Sequence, residues 1–193
     1  MNIAPEELHT LGNLDLLTLP KTAFLCSRNY PGYIEHPTCL WAVEQRTNSH
    51  CVLSGFHSLL EQTVFRYLLQ GEQQPIVYAL GRGMRTNMGL EYEAELAADR
   101  LLFLTPFEEE LTTITQETAD IRNLLIAELA DQFFIPYMAA GGNLERLFLS
   151  GALDGKPIFT LDLAENEPLF RAGAELYQPE GLLGGPTLYS MSA

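Results

Sequence analysis

The sequence predicts an α/β protein with a Rossmann-like, three-layer fold, in which a doubly wound and mostly parallel sheet is covered by helices. Three observations predict it. Six short apolar runs recur along the 193 residues, segments with helical periodicity separate them, and 47% of the residues are hydrophobic, which is enough for a sizeable core. Strand followed by helix, repeated along a chain, is typical of parallel sheets with helices on both faces. Right-handed connections then give a Rossmann-like topology.

The chain is expected to form one domain over residues 21–177, with a lead-in segment at 1–20 and a Gly- and Pro-rich tail at 178–193 that forms a loose strap or an extra edge strand. The predicted strands are 22–27, 50–53, 75–80, 100–104, 132–138 and 157–161. Their continuous apolar character suits strands buried on both faces. Helical spacing predicts packed faces in three of the intervening segments: Leu59, Leu60, Thr63, Val64, Tyr67 and Leu68; Ile121, Leu124, Leu125, Glu128 and Leu129; and Leu144, Leu147, Phe148 and Leu153.

The charge balance limits the partners that the protein can bind. Eleven Lys and Arg residues against 25 Asp and Glu residues give a net charge of −14. So acidic a chain is repelled by duplex DNA and by anionic membranes, and a polyanion would need a local basic site. The N-terminus does not resemble a signal peptide, and no stretch approaches the roughly 20 apolar residues that span a bilayer. We therefore expect a cytoplasmic protein with no membrane partner and no duplex DNA partner.

The candidate binding site follows from the fold, because ligands of doubly wound sheets bind beyond the carboxyl ends of the strands. Glycines at these turns would let a ligand approach backbone N–H groups, and arginines gathered there would hold phosphate. The candidates from the turns are Ser27, Arg28, Ser54, Gly55, His57, Gly81, Arg82, Gly83, Gly141 and Gly142, with Arg122, at the start of the helix after the fourth predicted strand, as an addition. The alternative is that the glycines only form tight turns, that Arg82 and Arg85 are solvated or pair with Glu91 and Glu93, and that His57 caps its helix or packs.

Several established site types do not match the sequence. Gly81-Arg82-Gly83 does not continue as a dinucleotide-binding fingerprint, and neither a P-loop nor a nucleophile elbow is present. The cysteines, Cys26, Cys39 and Cys51, are scattered and include no C-x-x-C pair, so we expect reduced thiols rather than a disulfide framework or a zinc site. We accordingly expect neither a cofactor nor a metal.

Five segments resemble motifs of the DNA-processing protein A (DprA/Smf) family. Residues 20–28 (PKTAFLCSR) are similar to its P-K-V-A-I-V-G-S-R opening, 52–55 (VLSG) to its V-V-S-G turn, and 79–84 (ALGRGM) to V-L-G-x-G-L. Residues 122–131 (RNLLIAELAD) resemble R-N-R-x-I-A-x-L-A-D, the most specific match, and 140–145 (AGGNLE) follow at the distance the family keeps. The likeness covers residues 14–174.

The resemblance implies a Rossmann-like domain of the superfamily that also includes the Lonely-guy phosphoribohydrolases. It implies a protein that binds a phosphate-bearing ligand, a nucleotide or single-stranded nucleic acid, in DNA processing, and it adds Asn123 to the candidate binding residues. The alternative is an enzyme of the phosphoribohydrolase type that cleaves a nucleoside monophosphate, with Glu61 or Glu145 as the carboxylate that stabilises charge on the sugar. A homodimer is expected, partly from the resemblance and partly from the apolar stretches 133–135 and 147–149.

Overall fold

The computed structural model of the protein describes residues 8–85 and 88–179. Within them, eight strands form one sheet in the order β1-β5-β4-β3-β2-β6-β7-β8, in which only the β1–β5 pair is antiparallel. The strands are β1 His9–Gly12, β2 Lys21–Phe24, β3 Cys51–Ser54, β4 Ile76–Ala79, β5 Leu101–Thr105, β6 Gln132–Ile135, β7 Ile158–Thr160 and β8 Glu175–Leu176. The helices are α1 Glu35–Asn48, α2 Leu59–Leu69, α3 Glu93–Ala97, α4 Gln116–Leu129, α5 Asn143–Leu149 and α6 Glu167–Arg171. The predicted α/β fold class is confirmed.

Side chains alternate across the sheet and build one core on each face. Phe24 of β2 and Phe134 of β6 point to the face covered by α1 and α2, where the rings of both stack on Trp41. Ala23 and Phe133, one residue earlier, point to the opposite face, which α4 and α5 cover. Strand residues buried on both sides explain the nearly continuous apolar runs in the sequence.

All six predicted strands are present as parallel neighbours, and their ends differ slightly from the prediction. β2 ends at Phe24 rather than at 27, and β6 ends at Ile135 rather than at 138. The two strands are hydrogen-bonded to each other although three strands separate them along the chain, and their connections leave in opposite directions. The residues beyond them form loops at this switch point instead of continuing the sheet.

The lead-in segment is part of the sheet. β1 pairs with β5, and the 3₁₀ helix Leu14–Thr18 buries Leu16 in the core. A Cβ on Gly12, which has φ +114°, would collide with the carbonyl oxygen of Leu101. The sequence pattern does not reveal β1 because it is a short edge strand with largely exposed side chains. Residues 1–7 of the predicted lead-in and most of the predicted tail lie outside the described residues.

Helix α4 exists where the periodicity predicts one, but its buried face differs from the predicted face. Leu124 is 40% exposed, whereas the buried side of the helix includes Thr118, Ala119, Arg122 and Leu125. Arg122 therefore lies in the second turn and faces the protein interior, and it does not open the helix as predicted. No helix in the described ranges is both long enough and apolar enough to cross a membrane.

Candidate phosphate-binding site

A cavity of about 340 Å³, called here the inner cavity, lies at the carboxyl edge of the sheet between the loops that follow β2 and β6. This is the switch point at which the chain leaves neighbouring strands in opposite directions, the usual ligand position in such sheets. The inner cavity is lined by 25–29, His57, Ser58, Glu61, Gln116, Ala119, Arg122, Asn123 and 139–144.

Ser27 joins the two loops. Its hydroxyl oxygen accepts a hydrogen bond of 2.8 Å from the Ala139 N–H, and its own N–H donates to the Tyr137 carbonyl at 3.1 Å. These bonds hold the loop after β2 against the loop after β6 on one wall of the inner cavity. Cys26 lies beside Ser27, where the DprA motif has glycine, and burial raises the pKa of its thiol well above its ordinary value.

The predicted catalytic carboxylates close backbone turns. Glu61 forms a capping box with Ser58, and its Oε2 accepts bonds from the His57 N–H at 3.0 Å and the Ser58 N–H at 2.6 Å. Glu145 Oε2 accepts a 2.5 Å bond from the Gly141 N–H. Carboxylates of the protein therefore take three of the N–H groups near these helix starts. Gly142, the N-cap of α5, makes no side-chain capping bond, so the binding of phosphate by the N–H groups that follow it stays a prediction.

Arg122 supplies positive charge instead. Its side chain is only 6% exposed, and its Nε and Nη2 donate to Asn123 Oδ1 at 3.2 and 2.9 Å. Among the described residues, no carboxylate lies within 4.0 Å of its guanidinium. Burial lowers the pKa of Arg122, and the more distant charge of Glu61 opposes that shift. Arg122 is thus a buried cation that borders the inner cavity and has no ion-pair partner in the described part of the chain.

Two predicted ligand-binding glycines pack against this arginine. A Cβ built on Gly55 would lie 2.7 Å from Arg122 Nε and 2.8 Å from Cζ, and one on Gly81 would lie 3.6 Å from Nη1. Neither glycine lines the inner cavity. The missing side chain of Gly55 makes room for the guanidinium, whereas a Cβ on Gly81 would make only ordinary van der Waals contact with it. The direct approach of a ligand to the backbone of these glycines stays a prediction.

Ser54 and the turn after β4 also stand apart from the inner cavity. Ser54 is fully buried, and its hydroxyl donates to the Phe24 carbonyl at 2.8 Å, so its contacts are structural. Arg82 Nη1 donates to the Gly83 carbonyl at 3.0 Å, and a Cβ on Gly83 would collide with the backbone carbonyl oxygen of Glu108. The inner cavity includes none of these three residues. A binding role for Arg82 stays a prediction.

The rim of the inner cavity carries Arg28 and His57. Arg28 is exposed, and it makes no hydrogen bond or ion pair within the described parts of the chain. His57 is half-buried, and its pKa is lowered by burial and by the positive charges of Arg122 and Arg28, while Glu61 opposes the shift. Two arginines and a neutral imidazole around one opening can receive an anion by charge-assisted hydrogen bonds.

Of the predicted residues, the inner cavity therefore brings together Ser27, Arg28, His57, Glu61, Arg122, Asn123, Gly141 and Gly142. The polar and helical lining residues that the prediction missed include Asn29, Gln116, Ala119 and Asn143. Gln116 and Ala119 precede Arg122 at helical spacing of three residues, so a search along the face that carries Arg122 could have found them. The residues described contain no group of three or more His, Cys, Asp and Glu side chains that could hold a metal.

Neither a protein-family model nor a curated protein sequence matches the chain. Solved structures do. DNA processing protein A from Helicobacter pylori, whose structure concerns its single-stranded DNA binding mode, superposes with a TM-score of 0.72 at 20% identity, over 91% of this chain and 84% of that one. The Streptococcus pneumoniae DprA gives 0.67 at 19% identity over 88% of this chain, which spans 62% of its length.

A third match lies outside the DNA-processing proteins. The molybdenum cofactor binding protein from Rippkaea orientalis superposes with a TM-score of 0.55 at 12% identity, over 83% of this chain and 90% of that one. At these identities the likeness establishes a fold and not a ligand. The chain adopts the Rossmann-like fold of the DNA processing protein A structures, as its motifs imply.

Proposed function

We propose that the protein binds a phosphate-bearing ligand, a nucleotide or single-stranded nucleic acid, in its inner cavity and acts in DNA processing. The observation that carries the proposal is Arg122, a 6% exposed guanidinium with no ion-pair partner among the described residues. A buried charge is costly unless an opposite charge compensates it. A phosphate group beside Arg122 and Arg28 would supply that compensation and form bidentate bonds.

The structural neighbours support the nucleic-acid part of the proposal. Two of them are DNA processing proteins, and the H. pylori structure concerns single-stranded DNA binding. A chain with a net charge of −14 can hold single-stranded nucleic acid only through a local positive site, and Arg122 and Arg28 border one cavity. A rigid duplex requires a broad basic stripe, so we propose that duplex DNA is not a partner.

The carboxylates favour binding without turnover over the phosphoribohydrolase alternative. In that alternative, Glu61 or Glu145 would have to face the sugar. Glu61 instead accepts two backbone bonds from its own helix start, and Glu145 accepts one from Gly141. These bonds hold the Oε2 atom of each carboxylate against its own turn, which favours a structural role for both residues.

We also propose a cytoplasmic location and a weak homodimer. The stretch 133–135, which motivated the dimer, is fully buried in the core, so it offers no surface for a partner. Leu149 at the end of α5 is 73% exposed, and Leu124 on the neighbouring α4 is 40% exposed. These two side chains are the apolar surface that supports self-association. Sedimentation at micromolar concentration should detect a species heavier than the 21.5 kDa chain, and a monomer alone would contradict it.

Fluorescence anisotropy with a labelled oligothymidylate, competed by nucleoside monophosphates and inorganic phosphate, tests the binding proposal. Arg122→Met, which keeps the length of the side chain and removes its charge, should lower affinity for every phosphate ligand by about a hundredfold or more. The control is Arg171→Ala, since Arg171 is exposed on α6 and pairs with Glu167. The proposal fails if the parent binds none of these ligands, or if Arg122→Met binds them as the parent does.

A further inference from the structure

A second depression adjoins the inner cavity and continues it across the surface. This outer groove has a volume of about 600 Å³ and is lined by Arg28, Asn29, Tyr30, Gly32, Glu35 and Leu59. Arg28 and Asn29 line both sites, so a ligand held by Arg122 and Arg28 would extend directly into the outer groove.

The walls of the outer groove suit a flat apolar ring. Tyr30 is half-buried and packs against the core on the α1 side, and its hydroxyl donates to Glu35 Oε1 at 3.3 Å. Leu59, at the first position of α2, is 65% exposed. A Cβ on Gly32 would meet nothing within 4 Å, so the floor is open there. An aromatic ring and a leucine beside a phosphate site provide surfaces on which a nucleobase can stack.

Glu35 determines which edge of a base the outer groove can bind. It lies in the first turn of α1 and is exposed, and its carboxylate has the Tyr30 hydroxyl as its one hydrogen-bond partner within the described ranges. An ionised carboxylate only accepts hydrogen bonds, so the edge of a base that faces it must donate. Guanine presents two adjacent donors, N1–H and N2–H, which match the two oxygens. Uracil and thymine present one N–H between two carbonyls, which a carboxylate repels.

The charges also set the direction in which a nucleotide would lie. Arg122 and Arg28 attract its phosphate, and the carboxylate of Glu35 repels it. The phosphate is therefore favoured in the inner cavity and the donor edge of the base in the outer groove, with Arg28 between them.

We propose that the outer groove is a nucleobase subsite that prefers guanine, with Glu35 reading the donor edge of the base and Tyr30 and Leu59 holding its faces. The inference rests on the proposed function, since it requires a phosphate group in the inner cavity. The subsite adds a preference for one base, which a site that binds only the phosphate group would not have. The same chemistry is available in a free guanosine nucleotide and in a guanine within a single strand.

Isothermal titration with GMP, AMP, CMP, UMP and ribose 5-phosphate tests the subsite. GMP should bind about tenfold or more tightly than UMP and ribose 5-phosphate, as two hydrogen bonds to a charged acceptor imply. Glu35→Gln should bring GMP to within about threefold of UMP and leave ribose 5-phosphate unchanged, whereas Glu128→Gln, on the exposed face of α4, should preserve the preference. Leu59→Ser should weaken all four nucleotides and spare ribose 5-phosphate.

The outcomes separate the subsite from the phosphate site. If all four nucleotides bind no better than ribose 5-phosphate, or if AMP, CMP or UMP binds as tightly as GMP, the guanine subsite is wrong and the phosphate site stands. If ribose 5-phosphate, the nucleotides and oligothymidylate all fail to bind, both proposals fall. If only oligothymidylate binds, the proposed function stands and the subsite for free nucleotides is wrong. A short oligothymidylate with and without one guanine then identifies the source of the base: tighter binding with guanine supports recognition within a strand, and equal binding assigns the subsite to free nucleotides.

Discussion

The guanidinium of Arg122 occupies the space that a side chain on Gly55 would need. A Cβ on Gly55 would lie 2.7 Å from Nε and 2.8 Å from Cζ of Arg122, closer than side chains tolerate. The glycine follows β3 and the arginine lies in α4, so the contact joins the two elements beside the inner cavity. It makes the position of the charge depend on a residue that does not itself line that cavity.

Gly55→Ala should therefore reduce ligand binding more than it reduces stability. The crowded atoms belong to the far end of a flexible side chain, which can move away at little cost, but its guanidinium would then leave the position that borders the inner cavity. We expect the affinity for oligothymidylate or phosphate to fall about tenfold, with the free energy of unfolding changed by less than about 1 kcal/mol. Anisotropy titration and urea unfolding measure the two quantities.

Gly83→Ala is the matched control. A Cβ there would collide with the backbone carbonyl oxygen of Glu108, and backbone cannot rotate aside. The expected loss is about 1–3 kcal/mol of stability, with the folded fraction binding ligand as the parent does. The interpretation of Gly55 is wrong if both glycine variants lose stability alike and neither changes affinity.

Arg28→Ala should weaken binding without affecting the fold. Arg28 is exposed at the rim and makes no hydrogen bond or ion pair within the described residues, so its removal leaves nothing unpaired. The loss of one bidentate charged contact to phosphate should cost about 1.5–3 kcal/mol, or roughly ten- to hundredfold in affinity. Arg171→Ala removes the same charge on α6 and should change the affinity by less than about twofold. If both variants lost affinity equally, the loss would come from the change in the net charge of the protein and not from a contact of Arg28 with phosphate.

The sequence predicts the sheet well because strands buried on both faces must be apolar along their length. It predicts the face of α4 less well, because Leu124 repeats with the apolar spacing yet is exposed, while Arg122 is buried beside Gly55 and Gly81. Those two glycines are more than 40 residues away along the chain, so no local pattern reveals the contact. The inward orientation of Arg122 is a product of tertiary packing.

The inner cavity lies at the edge of the sheet where the sequence predicts a site, and several of its groups make contacts that the sequence pattern does not suggest. Glycine turns and helix starts suggest free N–H groups, and the chain places Glu61 and Glu145 three or four residues further on, where their carboxylates reach back to those groups. The capping-box spacing from Ser58 to Glu61 is visible in the sequence and could have indicated this. No residue spacing in the sequence shows whether Arg122 has a carboxylate partner.

Ser27→Ala should destabilise the protein at the switch point. The Ser27 hydroxyl is the acceptor for the Ala139 N–H at 2.8 Å, and Ser27 is only 7% exposed. Without the hydroxyl, the partly buried Ala139 N–H loses its acceptor, which should lower the free energy of unfolding by about 1–3 kcal/mol. Urea unfolding should report this loss, and hydrogen exchange should report faster exchange at the Ala139 amide. Unchanged exchange at that amide would mean that the loops after β2 and β6 hold together without the serine.

His57 should make ligand binding depend on pH. The groups that act on it are Arg122 of α4, Arg28 of the loop after β2 and Glu61 of α2; burial and the two arginines lower its pKa, and Glu61 opposes them. In the empty protein the pKa of His57 therefore lies below its usual value, and the unfolded state takes up protons first as pH falls. Stability without ligand should decline as the pH falls through about 6.5 towards that lower value.

A bound phosphate opposes this effect, because its negative charge offsets the two arginines and makes the pKa of His57 higher in the complex than in the protein without ligand. Binding then takes up protons, and affinity for oligothymidylate should increase as pH falls from about 8 to about 5.5, by at most about tenfold per pH unit. A phosphodiester keeps one charge throughout this range, so the change comes from the protein. His57→Gln should flatten the profile, while His36→Gln, at an exposed position of α1 outside both sites, should leave it unchanged. An identical pH profile in the parent and in His57→Gln would place the imidazole outside the binding equilibrium.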